Sequence, residues 1–489
     1  MKTLLSAAAA LALLAGAAQA QRADLVMGMQ LEPPNLDPTA GAAAAIDEVV
    51  YANVLEGLTR IDQDGGVRPA LAREWEISDD GLTYTFRLVE GAVFHDGTTF
   101  DADDVKFSLD RAMAEDSQNA QKALFEPIES VAVLDPATVE ITLKRPTGDF
   151  LFNMGWGDAV IVAPESAADL ATNPIGTGPF RFVEWAKGDR VEIERFDGYW
   201  GEPVALENAT FKFISDPTAA FAALMAGDID AFQRWPAPET VPQLEADPRF
   251  VVTRGASEGE TILSTNNKQP PFDDLRVRQA IAHAIDSQAI IDGAMFGSGV
   301  PIGSHFPPHN PDYVDLTGLY PYDPAKAKAL LADAGFPDGF QATLKLPPPA
   351  YARRGGEVVA AQLREVGIDL SIENVEWAQW LEQVFSNKDF DLTIVSHTEP
   401  RDINIYARPD YYFQYDNPDF QALMQELNAA TAPEARSDLL KQAQRMIAED
   451  AVNGFLFQGG TTTVRRAGVQ GLWMNQPTQA TDLTAVRWE

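Results

Sequence analysis

The segment 255–259 (GASEG) has the G-x-S-x-G spacing that presents a nucleophilic serine in many hydrolases. Such a serine must lie on a sharp turn that leads from a strand into a helix. Here the residues that follow, 261–265, favour another strand. We therefore interpret 255–259 as a hairpin turn. The sequence offers no other activated nucleophile, so we expect no enzymatic activity.

Histidines and carboxylates show no metal-binding or acid–base pattern. His305 and His309 have the i, i+4 spacing of two metal ligands on a helix, but three prolines between 307 and 311 exclude a helix and favour a solvated loop. The other histidines are isolated. Adjacent acids such as 103–104 and 273–274 are typical of helix caps and solvated faces. We expect neither a metal centre nor a cofactor.

Acidic, basic and imidazole groups are concentrated in the segment 396–402 (SHTEPRD), directly after the predicted strand 391–395. α/β folds place ligand-binding groups at the carboxyl ends of strands. A carboxylate there can hold an ammonium group, and a guanidinium can hold a carboxylate. The segment favours a site for a zwitterionic ligand, and a surface loop with incidental charges is the alternative.

Three tryptophans are candidates for the walls of a ligand pocket. Trp377 and Trp380 lie three residues apart, on one face if the segment is helical, and Trp235 is flanked by Arg234 and Pro236. Tryptophan is most often a core residue. Beside prolines and charges, however, its flat ring can also line a cavity and stack on a ligand. Both roles stay open at this point.

Short strands and helices alternate along the chain and would position these groups. In 83–88 apolar and polar residues alternate, which predicts a half-buried strand, and 131–143 predicts two strands around an Asp-Pro turn. Asp323, followed by a proline, predicts the start of a helix that ends at Gly335. Further strands are predicted over 210–214 and 391–395, and further helices over 275–285, 351–366 and 434–448. The interleaving predicts an α/β or mixed α+β protein of more than one domain.

No flexible linker joins the predicted domains. The proline-rich stretches 301–311 and 347–349 are too short to be linkers, and we interpret them as ordered surface loops. Strands must then cross from one domain to the other, which is how a hinge is built. The best candidate is the strand-like run 261–267 (TILSTNN).

Composition excludes several classes of protein. The 489 residues are 45% apolar and 9% aromatic, which is typical of a globular chain and not of a disordered one. The formal charge of −35 repels nucleic acids and anionic membranes, so we expect neither as a partner. Because the chain has no cysteine, it has no disulfide, no thiolate-bound metal cluster and no cysteine to carry a lipid anchor.

Residues 1–20 have the three parts of a secretory signal, which are Lys2, an apolar run over 4–15 and a cleavage site at 18–20 (AQA). The run is too short for a membrane span, and no later segment is long and apolar enough for one. We expect cleavage after Ala20 and release of the protein into a bacterial periplasm, without a lipid anchor or membrane insertion.

Ordered motifs along the chain resemble one family of transport proteins. Spread over roughly residues 30–475, they are LDP at 36–38, NVLEGL at 53–58, LAREW at 71–75, DGLTYTF at 80–86, FHDG at 94–97, FDADDV at 100–105, GTGPF at 176–180, YW at 199–200, GDID at 227–230 and PFDDLRVRQA at 271–280. Each motif is weak alone, but the ordered set is specific. The chain resembles the periplasmic solute-binding proteins of ABC importers of the dipeptide, oligopeptide and nickel type, extracellular solute-binding protein family 5.

The resemblance implies a two-lobed α/β periplasmic binding protein, class II-like and of cluster C, with an extra subdomain in the first lobe. Lobe I would cover 22–260, with the subdomain inserted over 56–170, and would be completed by the return 460–489. Lobe II would cover 266–457. The hinge run 261–267 lies at that boundary.

The resemblance also implies that the lobes close on a small ligand, which passes unaltered to ABC transporter permease subunits, with the binding protein acting as a monomer. In peptide-binding relatives, an acid after the strand that matches 391–395 holds the ligand's ammonium group, and Glu399 is the nearest match. The arginine that holds the ligand's carboxylate falls near Leu346, and Arg353 or Arg354 would substitute for it.

The predicted ligand is a peptide or an amino-acid derivative. Its site is predicted to comprise Glu399, Asp402, Arg401, His397, Trp377, Trp380, Trp235 and Glu260. Alternatives are a nickel or metal-chelate binder of the same transporter type, which would use His397, His305 or His309, a secreted hydrolase, and a chaperone-like peptide holder.

Overall fold

Strands and helices interleave along the chain, as the sequence predicts. A computed structural model describes residues 22–41, 43–398, 401–430 and 432–489, so the predicted signal segment 1–20 lies outside the described residues. The strands are β1 (Asp24–Met29), β2 (Thr59–Ile61), β3 (Val67–Pro69), β4 (Ala72–Ile77), β5 (Thr83–Leu88), β6 (Ile128–Asp135), β7 (Thr138–Leu143), β8 (Phe180–Ala186), β9 (Arg190–Arg195), β10 (Asn208–Phe213), β11 (Ala231–Phe232), β12 (Phe250–Thr265), β13 (Gly299–Pro301), β14 (Phe340–Leu346), β15 (Ile368–Asn374), β16 (Leu392–His397), β17 (Asn453–Arg466), β18 (Val469–Gln470) and β19 (Arg487–Trp488). The α-helices are α1 (Ala44–Val50), α2 (Ala102–Met113), α3 (Phe150–Asn153), α4 (Pro217–Ala226), α5 (Val241–Glu245), α6 (Leu275–Ala284), α7 (Ser287–Met295), α8 (Pro324–Asp333), α9 (Ala350–Glu365), α10 (Trp377–Trp380), α11 (Pro418–Ala429) and α12 (Pro433–Glu449).

Local sequence signals account for several of these elements. The predicted alternation is confirmed in β5, where Tyr84, Phe86 and Leu88 are buried. The two strands predicted around an Asp-Pro turn are β6 and β7. Helix α8 begins at its predicted cap, because the Asp323 carboxylate accepts a hydrogen bond from the Lys326 N–H at 2.9 Å.

Adjacent acids take part in helix caps, as predicted. Asp274 caps α6 by accepting a hydrogen bond from the Arg276 N–H at 2.8 Å. Asp101 caps α2, and Asp104 completes the reciprocal capping box by accepting from the Asp101 N–H at 2.9 Å. These carboxylates therefore stabilise helix starts.

One large mixed sheet runs through both lobes. Its strand order is β15-β14-β16-β12-β17-β11-β1-β10-β9-β8, and β13 pairs with β17 off this path. The long strands β12 and β17 are antiparallel neighbours from Phe250 opposite Arg466 to Ser264 opposite Asn453. In the predicted division of the chain, lobe I contains the strands from β11 to β8 in this order, and lobe II contains β16, β14 and β15. The two central strands therefore join the lobes without a linker.

The ladder between β12 and β17 is irregular in its middle. Register shifts occur between Ala256 and Glu260 and again between Thr261 and Ile262. A bulged ladder has fewer regular bonds and bends locally. We propose that the hinge lies at this interruption, which begins just before the predicted run 261–267.

The predicted hairpin turn at 255–259 is wrong, because β12 continues through this segment and only its register shifts. Gly255 is required by close approach, since a Cβ there would lie 1.7 Å from the Met474 carbonyl oxygen. The Ser257 hydroxyl donates to the Gly459 carbonyl oxygen at 2.9 Å. Since no helix follows the serine, the segment is not a nucleophile elbow.

Each part of the molecule has its own core. The four-stranded sheet β4-β5-β7-β6 packs with α2 and α3 around a core that extends from Leu58 to Ala163. The core of lobe I includes residues from near both chain ends, among them Leu25 and Leu483. Two cores lie in lobe II among the described residues, and one of them includes Leu344 of β14.

The C-terminal segment packs back onto the start of the chain. The Trp488 indole N–H donates to the Asp24 carbonyl oxygen at 2.9 Å, and the Arg22 guanidinium lies over the Trp488 ring, 4.3 Å from its centroid. The buried Asn53 amide, in the NVLEGL motif, accepts a hydrogen bond from the Leu483 N–H. Residues from both ends of the described chain therefore complete lobe I.

Candidate functional site

A large cleft lies between the lobes, where the paired strands β12 and β17 pass from one lobe to the other. Its volume is about 750 Å³, within the rough range of 300–1,000 Å³ that small-molecule sites occupy. Lobe I, the crossing strands and lobe II all contribute to its lining, which is formed by Gln30, Trp156, Arg234, Trp235, Pro236, Pro238, Glu239, Ser257, Glu258, Gly259, Ala294, Met295, Phe296, Ser298, Ala350, Tyr351, Arg354, Thr398, Gly460, Thr461, Thr462, Gln476, Pro477, Thr478 and Gln479.

Two guanidinium groups line the cleft from opposite lobes. Arg234 of lobe I pairs with Glu48 at 3.0 Å and donates to Gln476 at 2.8 Å. Burial raises the pKa of Glu48, and the Arg234 charge opposes that rise. Arg354 of lobe II lies on α9, 5.4 Å from the ring centroid of Phe296. Cations on both walls suit an anionic group of a ligand.

The floor of the cleft carries a buried carboxylate. Glu258, on β12, lies 2.7 Å from His309 Nε2, and the His309 side chain is only 4% exposed. His305 is also buried, with its Nε2 2.6 Å from Asp402 Oδ1. The predicted solvated loop around these two histidines is therefore wrong. Both imidazoles face carboxylates that are distant in the sequence, so the local proline pattern gives no sign of their burial.

Aromatic rings form much of the wall. Trp235 is buried and donates its indole N–H to the Ala237 carbonyl oxygen at 2.8 Å, so the ring is fixed while it lines the cleft. Phe296, which has a left-handed backbone with φ of 53°, is 58% exposed. Burial raises the pKa of Tyr351, whose hydroxyl oxygen accepts from the Ser396 N–H at 3.2 Å. These flat surfaces suit ring stacking or apolar contact with a ligand.

The other two predicted tryptophans lie away from this cleft. Their rings are on one face, as predicted, with centroids 5.6 Å apart. Trp380 is buried in a core of lobe II, where its indole N–H donates to the Thr393 hydroxyl at 3.0 Å. Trp377 is 40% exposed and is not among the residues that line the cleft. Spacing places the two rings together but does not determine what they contact.

Three residues of the predicted site lie together under the cleft floor. Glu260 on β12 is opposite His397 on β16, and Asp402 lies 3.6 Å from His397 Nδ1. Burial raises the pKa of Asp402, but the charge and hydrogen bond of His305 and the hydrogen bond of His397 outweigh burial and hold that pKa below its usual value. The predicted peptide site does not include His305, which is named with His397 only for the metal-binding alternative.

Arg401 contacts the opposite lobe and not the cleft. Its guanidinium lies 3.4 Å from Asp149, donates to the Gly65 carbonyl oxygen at 3.0 Å and lies over the Phe152 ring at 4.0 Å. Arg436 of lobe II also pairs with Asp149, at 2.5 Å. Asp149 therefore receives two cations across the lobe boundary. We call this group of contacts the Asp149 latch.

Glu399, the predicted ammonium ligand, lies outside the described residues. Leu346, where the carboxylate-binding arginine was expected, is buried in lobe II. Of the two proposed substitutes, Arg353 donates to the Val375 carbonyl oxygen at 3.2 Å, whereas Arg354 lines the cleft. The sequence did not predict Trp156, Tyr351 and Glu258 as cleft residues. Only Trp235 had a local sign of its position, which is the charged residue and the proline beside it.

Several motif residues support the fold. The Glu56 carboxylate accepts hydrogen bonds from Thr177, Tyr199 and Trp200 at 2.9–3.0 Å. Gly178 allows close packing, because a Cβ there would lie 2.4 Å from the carbonyl oxygen of Asn53. These motif residues therefore hold parts of lobe I together, and none of them is among the residues that line the cleft.

Two lobes that share one sheet, with a large cleft where two strands cross between them, define a two-lobed periplasmic binding protein. This class is confirmed by the peptide complex of the ABC transporter-associated periplasmic binding protein DppA from Helicobacter pylori, which has a TM-score of 0.75, is 26% identical and covers 96% of this chain and 98% of its own.

Sequence comparison gives the family. The profile described as bacterial extracellular solute-binding proteins, family 5 Middle, matches residues 66–419. A glutathione-binding protein GsiB from Pectobacterium atrosepticum is 34% identical over 364 residues, which cover 73% of this chain and 70% of the relative. Heme-binding protein A from Haemophilus influenzae is 30% identical over 433 residues, which cover 79% of this chain and 78% of the relative.

The chain belongs to the bacterial extracellular solute-binding proteins of family 5, the solute-binding components of ABC importers. The predicted resemblance and the predicted fold class are confirmed. The named relatives are binding proteins and not enzymes. Within the described ranges, no helix combines the length and the apolar character that crossing a bilayer requires.

Proposed function

We propose that the protein captures a peptide or an amino-acid derivative in the interlobe cleft and delivers it unaltered to a permease. The observation that carries this proposal is the position of Arg354, a guanidinium on lobe II that lines a cleft of peptide-like size. Glutathione and a tetrapeptide are the ligands named for two of the relatives, which supports the same ligand class.

The proposed arrangement has a role for each wall. Arg354 binds the ligand's carboxylate by charge-assisted hydrogen bonds, which contribute about 1.5–3 kcal/mol each. Arg234, already paired with Glu48, adds positive potential from lobe I. Glu258 on the floor supplies negative charge for an ammonium group, and Trp235 and Phe296 cover the ligand's apolar parts.

Ligand capture is proposed to work by hinge bending at β12 and β17. A ligand that touches both lobes favours the closed arrangement by its differential affinity for that arrangement. A shift from 1:99 to 99:1 requires about 5.5 kcal/mol. Two or three charge-assisted hydrogen bonds together with aromatic contact are sufficient for this. The protein is proposed to act as a monomer in the periplasm, after removal of residues 1–20.

Mass spectrometry of the ligand that co-purifies with the native protein tests the ligand class. A thermal-shift screen of dipeptides, tripeptides, amino-acid derivatives, heme and nickel chelates complements it, since a ligand that binds only the folded state raises Tm. We expect peptides or amino-acid derivatives to raise Tm. A shift with heme or a metal chelate alone would contradict the proposal.

Two neighbouring arginines provide a matched test of the site. Arg354→Gln is expected to weaken ligand binding by about 10- to 100-fold, from the loss of a charged hydrogen bond. Arg353→Gln removes an equal charge one residue away, from a side chain that bonds to Val375 and Glu376, and should leave affinity within a few-fold. Calorimetry measures both. Equal affinities for the two variants would remove Arg354 from the site.

A further inference from the structure

Four side chains with metal-binding atoms meet beneath the cleft floor. One ligand atom each from Glu260, His305 and Asp402 lies within 4.8 Å of the others. His397 adds a fourth, because its Nδ1 is 3.6 Å from Asp402 Oδ2. We call these four residues the hinge cluster. They come from β12, from the loop before α8, from the end of β16 and from the turn after it.

The two imidazoles are oriented as metal-ligating histidines usually are. His305 Nδ1 lies 3.1 Å from the Tyr406 hydroxyl, and His397 Nε2 lies 3.1 Å from the Tyr412 hydroxyl. The second nitrogen of each ring therefore faces Asp402. A ligating histidine commonly holds its other ring nitrogen in this way.

The separations suit one ion. A zinc-like ion binds nitrogen and oxygen at about 2.0–2.2 Å, so two of its ligand atoms are at most about 4.4 Å apart. In the tetrahedral arrangement that zinc prefers, two ligand atoms are roughly 3.3–3.6 Å apart. His305 Nε2 and Asp402 Oδ1, now hydrogen-bonded at 2.6 Å, would therefore separate, and the ligand atoms of Glu260, His305 and Asp402, now within 4.8 Å of one another, would rearrange around the ion. Rotation of side chains about their χ angles provides such a movement.

Burial and charge favour a cation here. Glu260 and His305 are completely buried, and the Asp402 side chain is 14% exposed. Two buried carboxylates are costly unless a positive charge compensates them. Arg401, the guanidinium next along the chain, is bound to Asp149 in the other lobe. A metal ion bound between them would supply positive charge to both carboxylates.

We propose that the hinge cluster binds one divalent transition-metal ion of the zinc or nickel class, through Glu260, His305, His397 and Asp402. Two imidazoles and two carboxylates match the preferences of these ions. Thr398, which follows His397 in the chain, lines the cleft, so the proposed site lies next to it. This site is separate from the proposed cargo site, because its ligands lie under the floor and Arg354 is not among them.

Metal binding by the full chain tests the proposal. The protein is prepared without a histidine tag, because the chain has only five histidines of its own, and is stripped with a chelator. Equilibrium dialysis against Zn²⁺ and Ni²⁺ measures stoichiometry, and the visible spectrum of the Co²⁺ form reports imidazole ligation. We expect one bound ion per chain. No ion bound at saturating free metal would overturn the proposal.

Variants locate the ion. His305→Gln and Asp402→Asn should lower metal affinity by at least about 100-fold, and Tyr406→Phe, which removes a second-sphere partner, by about 10- to 100-fold. His309→Gln and Arg354→Gln serve as controls outside the cluster and should leave metal affinity unchanged. Circular dichroism checks that each variant is folded. If His309→Gln lowers metal affinity as much as Tyr406→Phe does, the assignment to the hinge cluster is wrong.

Discussion

The Asp149 latch should control how the two lobes are arranged. Asp149 lies in the segment predicted to form the inserted subdomain, and both of its partners, Arg401 and Arg436, lie in the segment predicted to form lobe II. Asp149 precedes α3, but its side chain makes no capping hydrogen bond to that helix. Asp149→Ala therefore removes the contact between the lobes without removing a helix cap. We expect the arrangement described above to become less populated.

The free energy that the latch contributes can be estimated from the partial burial of its side chains. The side chains of Asp149, Arg401 and Arg436 are 30%, 21% and 13% exposed. Fully exposed pairs contribute about 0–1 kcal/mol, and hydrogen bonds to charged groups contribute about 1.5–3 kcal/mol. The latch lies between these two cases, so we expect its contacts to contribute about 1.5–2 kcal/mol in total. Their loss corresponds to a roughly 10- to 30-fold change in the ratio of lobe arrangements.

A distance measurement between the lobes detects this change. The chain has no cysteine, so cysteines introduced at the exposed positions Glu115 and Lys328 carry the only spin labels. Electron–electron resonance should show a second or broader distance distribution in Asp149→Ala. Asp110→Ala removes a pair with Lys106 that lies within α2, and it should leave the distribution unchanged. Superimposable distributions for Asp149→Ala and the parent protein would refute the latch.

Three further predictions concern residues that hold lobe I together. Glu56→Ala removes a buried acceptor of three hydrogen bonds, and urea unfolding should show that the free energy of unfolding falls by about 3 kcal/mol or more; a fall below about 1 kcal/mol would contradict this estimate. Burial raises the pKa of Asp158 to about 7, so the folded protein holds a proton that the unfolded chain releases near pH 4, and stability falls as pH rises between these values. Asp158→Asn should remove this contribution to the fall of stability with pH, which is at most about 4 kcal/mol. Parallel profiles of Tm against pH for the variant and the parent protein would contradict the assignment. Gly178→Ala places a Cβ 2.4 Å from a backbone oxygen and should lower Tm, whereas Gly318→Ala, whose Cβ would meet nothing within 4 Å, should not; equal Tm values would be evidence against close packing at Gly178.

Sequence reasoning succeeded where the signal is local. Alternation along 83–88 predicts which side chains of β5 are buried, because neighbouring residues of a strand face opposite sides. Asp323 predicts the start of α8, because a cap bonds to a backbone N–H only three residues away. The ordered motifs predicted the family correctly, and some of their residues, such as Glu56, make contacts inside the fold.

The cleft and the hinge cluster could not be predicted in the same way. His305 and Asp402 are 97 residues apart, and His309 and Glu258 are 51 apart, so no local pattern joins either pair. The i, i+4 spacing of the two histidines has meaning for a shared site only on a helix. The histidines lie in a loop instead, and each contacts a different carboxylate. Arg401 had the right chemistry for a ligand but contacts the other lobe.

The return of the C-terminal segment to lobe I has a consequence for the order of synthesis. Trp488 bonds to Asp24, 464 residues earlier, and Leu483 lies in the same core as Leu25. A ribosome therefore makes the first strand of lobe I long before the residues that close its core. Lobe II, by contrast, can fold from nearly continuous chain. Lobe I cannot complete its core until Leu483 and Trp488 have been synthesised.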